Sequence, residues 1–172
     1  TNQNIPKKIL YWYDNNKRAL PWRKKVSKKK QEYFTLVSEF MLQQTQVKTV
    51  IPYFEKFIKE FPNLKSLAKS SDHKILKNWE GLGYYSRARN LKKTAIKLLK
   101  DYKGELPEDI ETLKSLPGIG EYTSRSILAI AHNKPYIPMD GNVERILKRV
   151  FLLKTDYELS LIHISEPTRH RR

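Results

Sequence analysis

Apolar positions recur at spacings of three and four along most of the chain, in Ile5 to Tyr13, Phe34 to Val47, Val50 to Phe61, Tyr84 to Leu99, Tyr122 to Ile130 and Val143 to Leu152. That period places apolar side chains on one stripe of a helix, so the pattern predicts amphipathic helices in each window. Proline and glycine punctuate the intervals at Leu20-Pro21, Phe61-Pro62, Gly81-Leu82-Gly83, Leu106-Pro107, Pro117-Gly118-Ile119-Gly120 and Pro138 to Gly141. No alternating strand pattern competes, and the predicted class is all-α.

The 172 residues, 39% hydrophobic and 30% charged, describe a globular protein with one core. Lys and Arg number 34 against 18 Asp and Glu, a formal net charge of +16. Such an excess predicts attraction to a polyanion, nucleic acid first. A lysine-heavy surface reflecting genome composition is the other reading, with 24 Lys and 10 Arg. The run Ser27-Lys28-Lys29-Lys30 is open in the same way, as a loop near DNA or a solvated surface loop. The chain has no run of eighteen apolar residues and no secretory pattern at Thr1 to Pro6, so the expectation is an intracellular protein with no membrane partner, cytoplasmic and nucleoid-associated if bacterial. With no Cys and four scattered His, no metal ligands are assigned.

Leu116-Pro117-Gly118-Ile119-Gly120-Glu121-Tyr122-Thr123 is a glycine-bracketed turn opening a helix. Gly118 and Gly120 would let the backbone approach a phosphate, with the N–H groups and dipole of the helix start holding the anion. About twenty residues on, Asp140 stands before the helical run in Met139-Asp140-Gly141-Asn142-Val143. Taken alone, Asp140 reads first as a helix cap. Glu39, in Val37-Ser38-Glu39-Phe40-Met41-Leu42-Gln43-Gln44-Thr45, shares a helix face with Leu36 and Leu42. A carboxyl on that face is desolvated, which raises its pKa toward that of a general acid. The plainer reading is an amphipathic helix with one imperfectly buried Glu.

These two motifs, with Val37 to Val47 and Gly81-Leu82-Gly83-Tyr84-Tyr85-Ser86-Arg87-Ala88-Arg89-Asn90, resemble the MutY type of adenine glycosylase within the helix-hairpin-helix glycosylase superfamily, over about Ile9 to Phe151. The resemblance implies two helical lobes with the active site between them. It implies removal of adenine mispaired with 8-oxoguanine or guanine in duplex DNA by a monomer; a helix-hairpin-helix glycosylase of another, endonuclease III-like specificity and a non-catalytic DNA-binding helix-hairpin-helix fragment are the other readings. Glu39 would protonate the base and help activate water, while Asp140 stabilises or transiently captures the sugar cation. Tyr122 stands where relatives that cut the strand carry a Schiff-base lysine, which implies a monofunctional enzyme; its hydroxyl would bond Asp140 and Asn142. Tyr122 as an ordinary helix-face aromatic is the alternative.

The resemblance further implies that Arg18, Trp22, Arg23 and Leu42 enclose adenine. Gln43, Gln44, Leu82, Tyr84, Arg87, Gly118 and Gly120 would contact DNA, with Gln44, Leu82 and Tyr84 inserted near the purine opposite the flipped base. Blander readings stand beside these: Trp22 packed on the core, Leu82 a buried loop leucine, Arg87 and Arg89 simple surface charge. The lysine-rich stretch between Trp22 and Glu39 is longer than the family spacing. Members continue with a [4Fe-4S] cluster held by four cysteines, and this chain has none. Leu159 to Arg169 reads like a translated sequencing adapter. The expectation is therefore residues 1–158 as a partial catalytic domain, stopping before completion of the second-lobe and cluster region, and 159–172 as adapter-derived. The three arginines and one glutamate in 159–172 change the net charge only to +14.

Overall fold

A computed structural model of the chain describes residues 4–154; the expectation for 159–172 lies outside the described residues. Among the described residues there is no strand, and the helices run α1 (Ile5–Asn16), α2 (Lys28–Leu42), α3 (Val47–Glu60), α4 (Leu64–Lys69), α5 (Asp72–Trp79), α6 (Ser86–Asp101), α7 (Ile110–Lys114), α8 (Glu121–Ala131) and α9 (Gly141–Phe151), with a 3₁₀ turn at Pro21–Arg23. The all-α class is as the periodicity predicts. The short helices α4, α5 and α7 fall in stretches where the periodicity predicts none, because five to eight residues span too few turns to show a stripe. Each starts on a side-chain cap instead: Asn63 accepts from Ser66 N–H, Ser71 from Lys74 N–H and Asp109 from Thr112 N–H.

Helix α2 is the axis of the fold. Every residue from Glu32 to Met41 is buried, so this stretch of the helix has no solvent face, and α3, α6, α8 and the 3₁₀ turn pack around it. The core extends from Leu20 to Leu128. Its aromatic centre is built edge to face: Phe54 meets Trp22 at 5.3 Å and Phe34 at 5.4 Å between centroids, and Phe57 meets Trp79 at 5.8 Å. The Tyr33 hydroxyl donates to the Phe61 carbonyl at 2.6 Å, tying α2 to the end of α3.

The predicted window Phe34 to Val47 does not stay helical throughout. Helix α2 stops at Leu42, and Gln44 takes a left-handed φ of 56° before α3 begins. Two terminal helices behave differently from the rest. Neither α1 nor α9 has a buried residue, and Ile9, Tyr11, Trp12, Ile146 and Leu152 stand exposed. The described residues therefore form one core, with a helix that buries no residue at each margin.

Candidate active site

The hairpin is α7, the turn Leu116 to Gly120, and α8, and it lies directly against α2. Gly118 has φ 79°, and a Cβ there would stand 2.8 Å from Asn90 Cβ and from a Phe40 ring carbon. Its glycine is thus required by internal packing and left-handed backbone. Gly120 differs: it is the N-cap of α8, and a Cβ there would meet open space. The start of α8 is accordingly open to solvent at Gly120, with Glu121 and Tyr122 exposed beside it.

Glu39 faces this hairpin from within the core, 8% exposed. Burial pushes its carboxyl up to about 7; the Ser126 hydroxyl, hydrogen-bonded to it from α8, and the charge of Arg23 pull in the opposite direction and lose. A second buried acid on the same helix shows what distinguishes this one. Glu32 accepts the Leu106 N–H at 3.3 Å and has Lys28 Nζ at 3.9 Å. Glu39 has a neutral hydroxyl as its hydrogen-bond partner, and desolvation outweighs that bond, so the carboxyl can hold a proton near neutral pH.

Tyr122 starts the same helix face four residues before Ser126. It is 46% exposed, and its hydroxyl pKa is raised by partial burial first, then by the negative charges of Glu39 and of Asp140. Tyr122 therefore sits within electrostatic reach of both carboxylates, and the structure brings Glu39, Tyr122 and Asp140 together from three helices. Asp140 is the exposed N-cap of α9, accepting Asn142 N–H at 3.0 Å and Val143 N–H at 2.8 Å on one oxygen, Oδ1. The capping reading of Asp140 is what the structure shows, with one oxygen securing the helix start. The Asn142 side chain accepts from Arg145 at 2.7 Å, so the structure gives it a local partner on α9.

Several expected contacts are placed elsewhere. Trp22 is in the core against Phe54, with its carbonyl accepting from Gln31, which leaves no face for stacking on a base. Leu82 is buried, the plainer of its two readings, so it is not a wedge in this arrangement. Arg87 is 6% exposed and donates to main-chain carbonyls of both neighbouring loops, so it is neither surface charge nor a phosphate contact. Gln43 donates to Gly118 O at 3.1 Å and Thr123 Oγ1 at 3.3 Å, locking the end of α2 to the hairpin rather than reaching outward. Arg18 and Arg23 are exposed, Arg23 donating to the Tyr13 hydroxyl at 3.2 Å, and Leu42 is half-buried. Gln44 and Tyr84 are exposed, each with a left-handed φ, 56° and 47°. Ser126 is the site residue that sequence reading missed; its position one turn after Tyr122 on the hairpin helix was the available signal.

Among the described residues no group of His, Asp or Glu could hold a metal ion, and the chain has no cysteine to ligate a cluster, so its residues do not fit an iron–sulfur group. None of the described helices is long and apolar enough to cross a membrane.

The HhH-GPD superfamily base excision DNA repair protein family matches residues 37–169. An adenine DNA glycosylase of Rattus norvegicus is 43% identical over 159 residues, which is 90% of this chain and 31% of the relative. One from Buchnera aphidicola subsp. Baizongia pistaciae is 47% identical over 144 residues, 83% of this chain and 40% of the relative. The chain thus spans well under half the length of either. Among solved structures, a thermostable thymine-DNA glycosylase superimposes with a TM-score of 0.80 at 24% identity, covering 94% of this chain and 76% of that one. A non-covalent endonuclease III–DNA complex gives 0.75 at 21%, covering 98% and 79%.

Proposed function

The chain belongs to the HhH-GPD superfamily of base excision DNA repair proteins, and from that membership we propose that it is part of a monofunctional glycosylase that hydrolyses the bond between adenine and deoxyribose in duplex DNA, where adenine is mispaired with 8-oxoguanine or guanine. The observation that carries this reading is the pair of acids in opposite surroundings. Glu39 is desolvated with a pKa of about 7, and Asp140 is exposed and bonded to N–H groups.

Adenine leaves poorly as an anion. Protonated Glu39 gives its proton to N7 of the flipped base, the C1′–N9 bond breaks with its electron pair going to adenine, and an oxocarbenium-like sugar remains. The Asp140 carboxyl stabilises that cation. Glu39, now a carboxylate, takes a proton from the water that attacks C1′, which restores the acid and leaves an abasic site. Tyr122 offers a hydroxyl within reach of the charge of both carboxylates and no amine, so no imine forms with the sugar and strand cleavage is not part of the reaction.

The duplex is held by the net charge of +16 and by the open helix start at Gly120. Gln44 and Tyr84 are the tips that enter the stack opposite the extruded base. Residues 1–158 are, on this reading, a partial catalytic domain with 159–172 adapter-derived, the cluster belongs to the longer enzyme, and no step above runs through it. The protein acts as a monomer within the cell. Single-turnover adenine release from an 8-oxoguanine:adenine duplex, with alkali revealing abasic sites, tests the reaction. Glu39→Gln and Asp140→Asn each remove release by about 10²-fold or more while duplex binding persists. Folded protein with both acids in place that releases no adenine overturns the assignment.

A further inference from the structure

One side chain links the loops that carry Gln44 and Tyr84. The Arg87 guanidinium, buried beneath them, spends all its donors on main-chain oxygens. Nη1 bonds the carbonyls of Phe40 at 3.3 Å, Met41 at 2.7 Å and Gln43. Nη2 bonds those of Leu82 at 3.3 Å and Gly83 at 3.0 Å, and Nε that of Tyr84 at 3.4 Å. The guanidinium carbon lies 5.5 Å from the ring centroids of Trp79 and Tyr84. Phe40 and Met41 directly follow Glu39, Gln43 precedes Gln44, and Leu82 to Tyr84 is the other loop.

Each tip is held in backbone that side chains seldom adopt, φ 56° at Gln44 and 47° at Tyr84, with the Tyr84 ring 61% exposed. Left-handed backbone at such residues persists only where surrounding contacts over-determine it. Arg87 supplies those contacts to both loops from one planar fork, which no ammonium can reproduce. Gln43 extends the chain of bonds to Gly118 and Thr123, beside Tyr122.

We infer that Arg87 is a positioning residue that makes Gln44 and Tyr84 a single preformed projection, set at a fixed place relative to Glu39, so that the duplex is opened by one rigid unit rather than by two independent side chains. The inference rests on the reading of Gln44 and Tyr84 as tips that enter the stack. Its physical basis is preorganisation: a loop already ordered in its working shape loses no further freedom on binding.

The test uses the 172-residue chain and a duplex carrying 2-aminopurine beside the position opposite the target, whose fluorescence rises when its stacking is broken. Wild type raises it; Gln44→Ala and Tyr84→Ala each lose most of the rise, and the double variant loses no more than either alone. Arg87→Lys, which keeps the charge, matches the double variant while still binding duplex. A folded Arg87→Lys variant that raises fluorescence like wild type overturns the inference. So do Gln44 and Tyr84 losses that combine independently, a measurement that stands even if Arg87→Lys does not fold. The fluorescence reads opening of the stack and not base release, so failure of the glycosylase reading shows separately, as duplex opening by wild type without adenine release in the alkali assay.

Discussion

The two acids of the site sit in contrasting parts of the molecule. Glu39 belongs to a stretch of helix buried on every side, within a core that runs from Leu20 to Leu128. Asp140 caps a helix with no buried residue, and its neighbours on α9 include the exposed Ile146 and Val150. Because Glu39 is enclosed, its proton affinity is set by desolvation. Because Asp140 is open, its geometry is set by two N–H groups of its own helix. One fold thus sets one carboxyl from the core outward and the other from the surface inward. The surroundings of Glu39 lie within the core, whereas Asp140 rests on a single helix start.

The largest effect that would break this contrast is on packing. Phe54→Ala is expected to destabilise the fold by about 3–5 kcal/mol in urea unfolding, since Phe54 is the hub of two edge-to-face contacts, while Ile146→Ala changes it by about 0.5 kcal/mol or less. Equal losses would mean that α9 is as integrated as α3. Next comes the linkage between Glu39 and pH. Its folded pKa of about 7 lies above the ordinary glutamate value of 4.5, so the folded state binds the proton more tightly. The stability this contributes is full below about 4.5 and is lost as pH rises toward 7. Glu39→Gln is therefore expected to gain stability over wild type across that interval, reaching on the order of 1–3 kcal/mol above pH 7, and to match it in acid. A pH-independent difference would place Glu39 in water.

A smaller effect distinguishes the cap. Asp140→Ala is expected to cost about 1 kcal/mol, seen as faster amide exchange within α9, while Asp140→Asn keeps the acceptor and costs a few tenths. The finest test concerns Ser126. Its hydroxyl lowers the Glu39 pKa, so Ser126→Ala moves the ¹³C titration of the Glu39 carboxyl upward from about 7. An unmoved titration would remove Ser126 from the site.

Much of this was legible in the chain itself. The three-and-four apolar spacing carries the six long helices, since a helix must present one stripe to a core. The Pro-Gly-Ile-Gly turn, Glu39 flanked by Leu36 and Leu42, and Asp140 before Gly141 mark the site from local pattern. Local pattern failed at Trp22, Leu82, Gln43 and Arg87. Each is a residue type suited to a DNA contact, and each is turned inward by partners 4 to 80 positions away in the chain.

What the sequence alone determined is therefore helix content, the polyanion-seeking charge, and which two acids stand at a helix face and a helix start. All three depend on residues within one or two helical turns, or on a sum over the whole chain. Only the tertiary structure decided that Ser126 bonds Glu39, that Tyr122 feels the charge of both acids, and that Arg87 is an internal clamp rather than a surface cation. Those outcomes depend on which helices pack together and on the desolvation that follows, and both are set by contacts between segments that the chain order keeps apart.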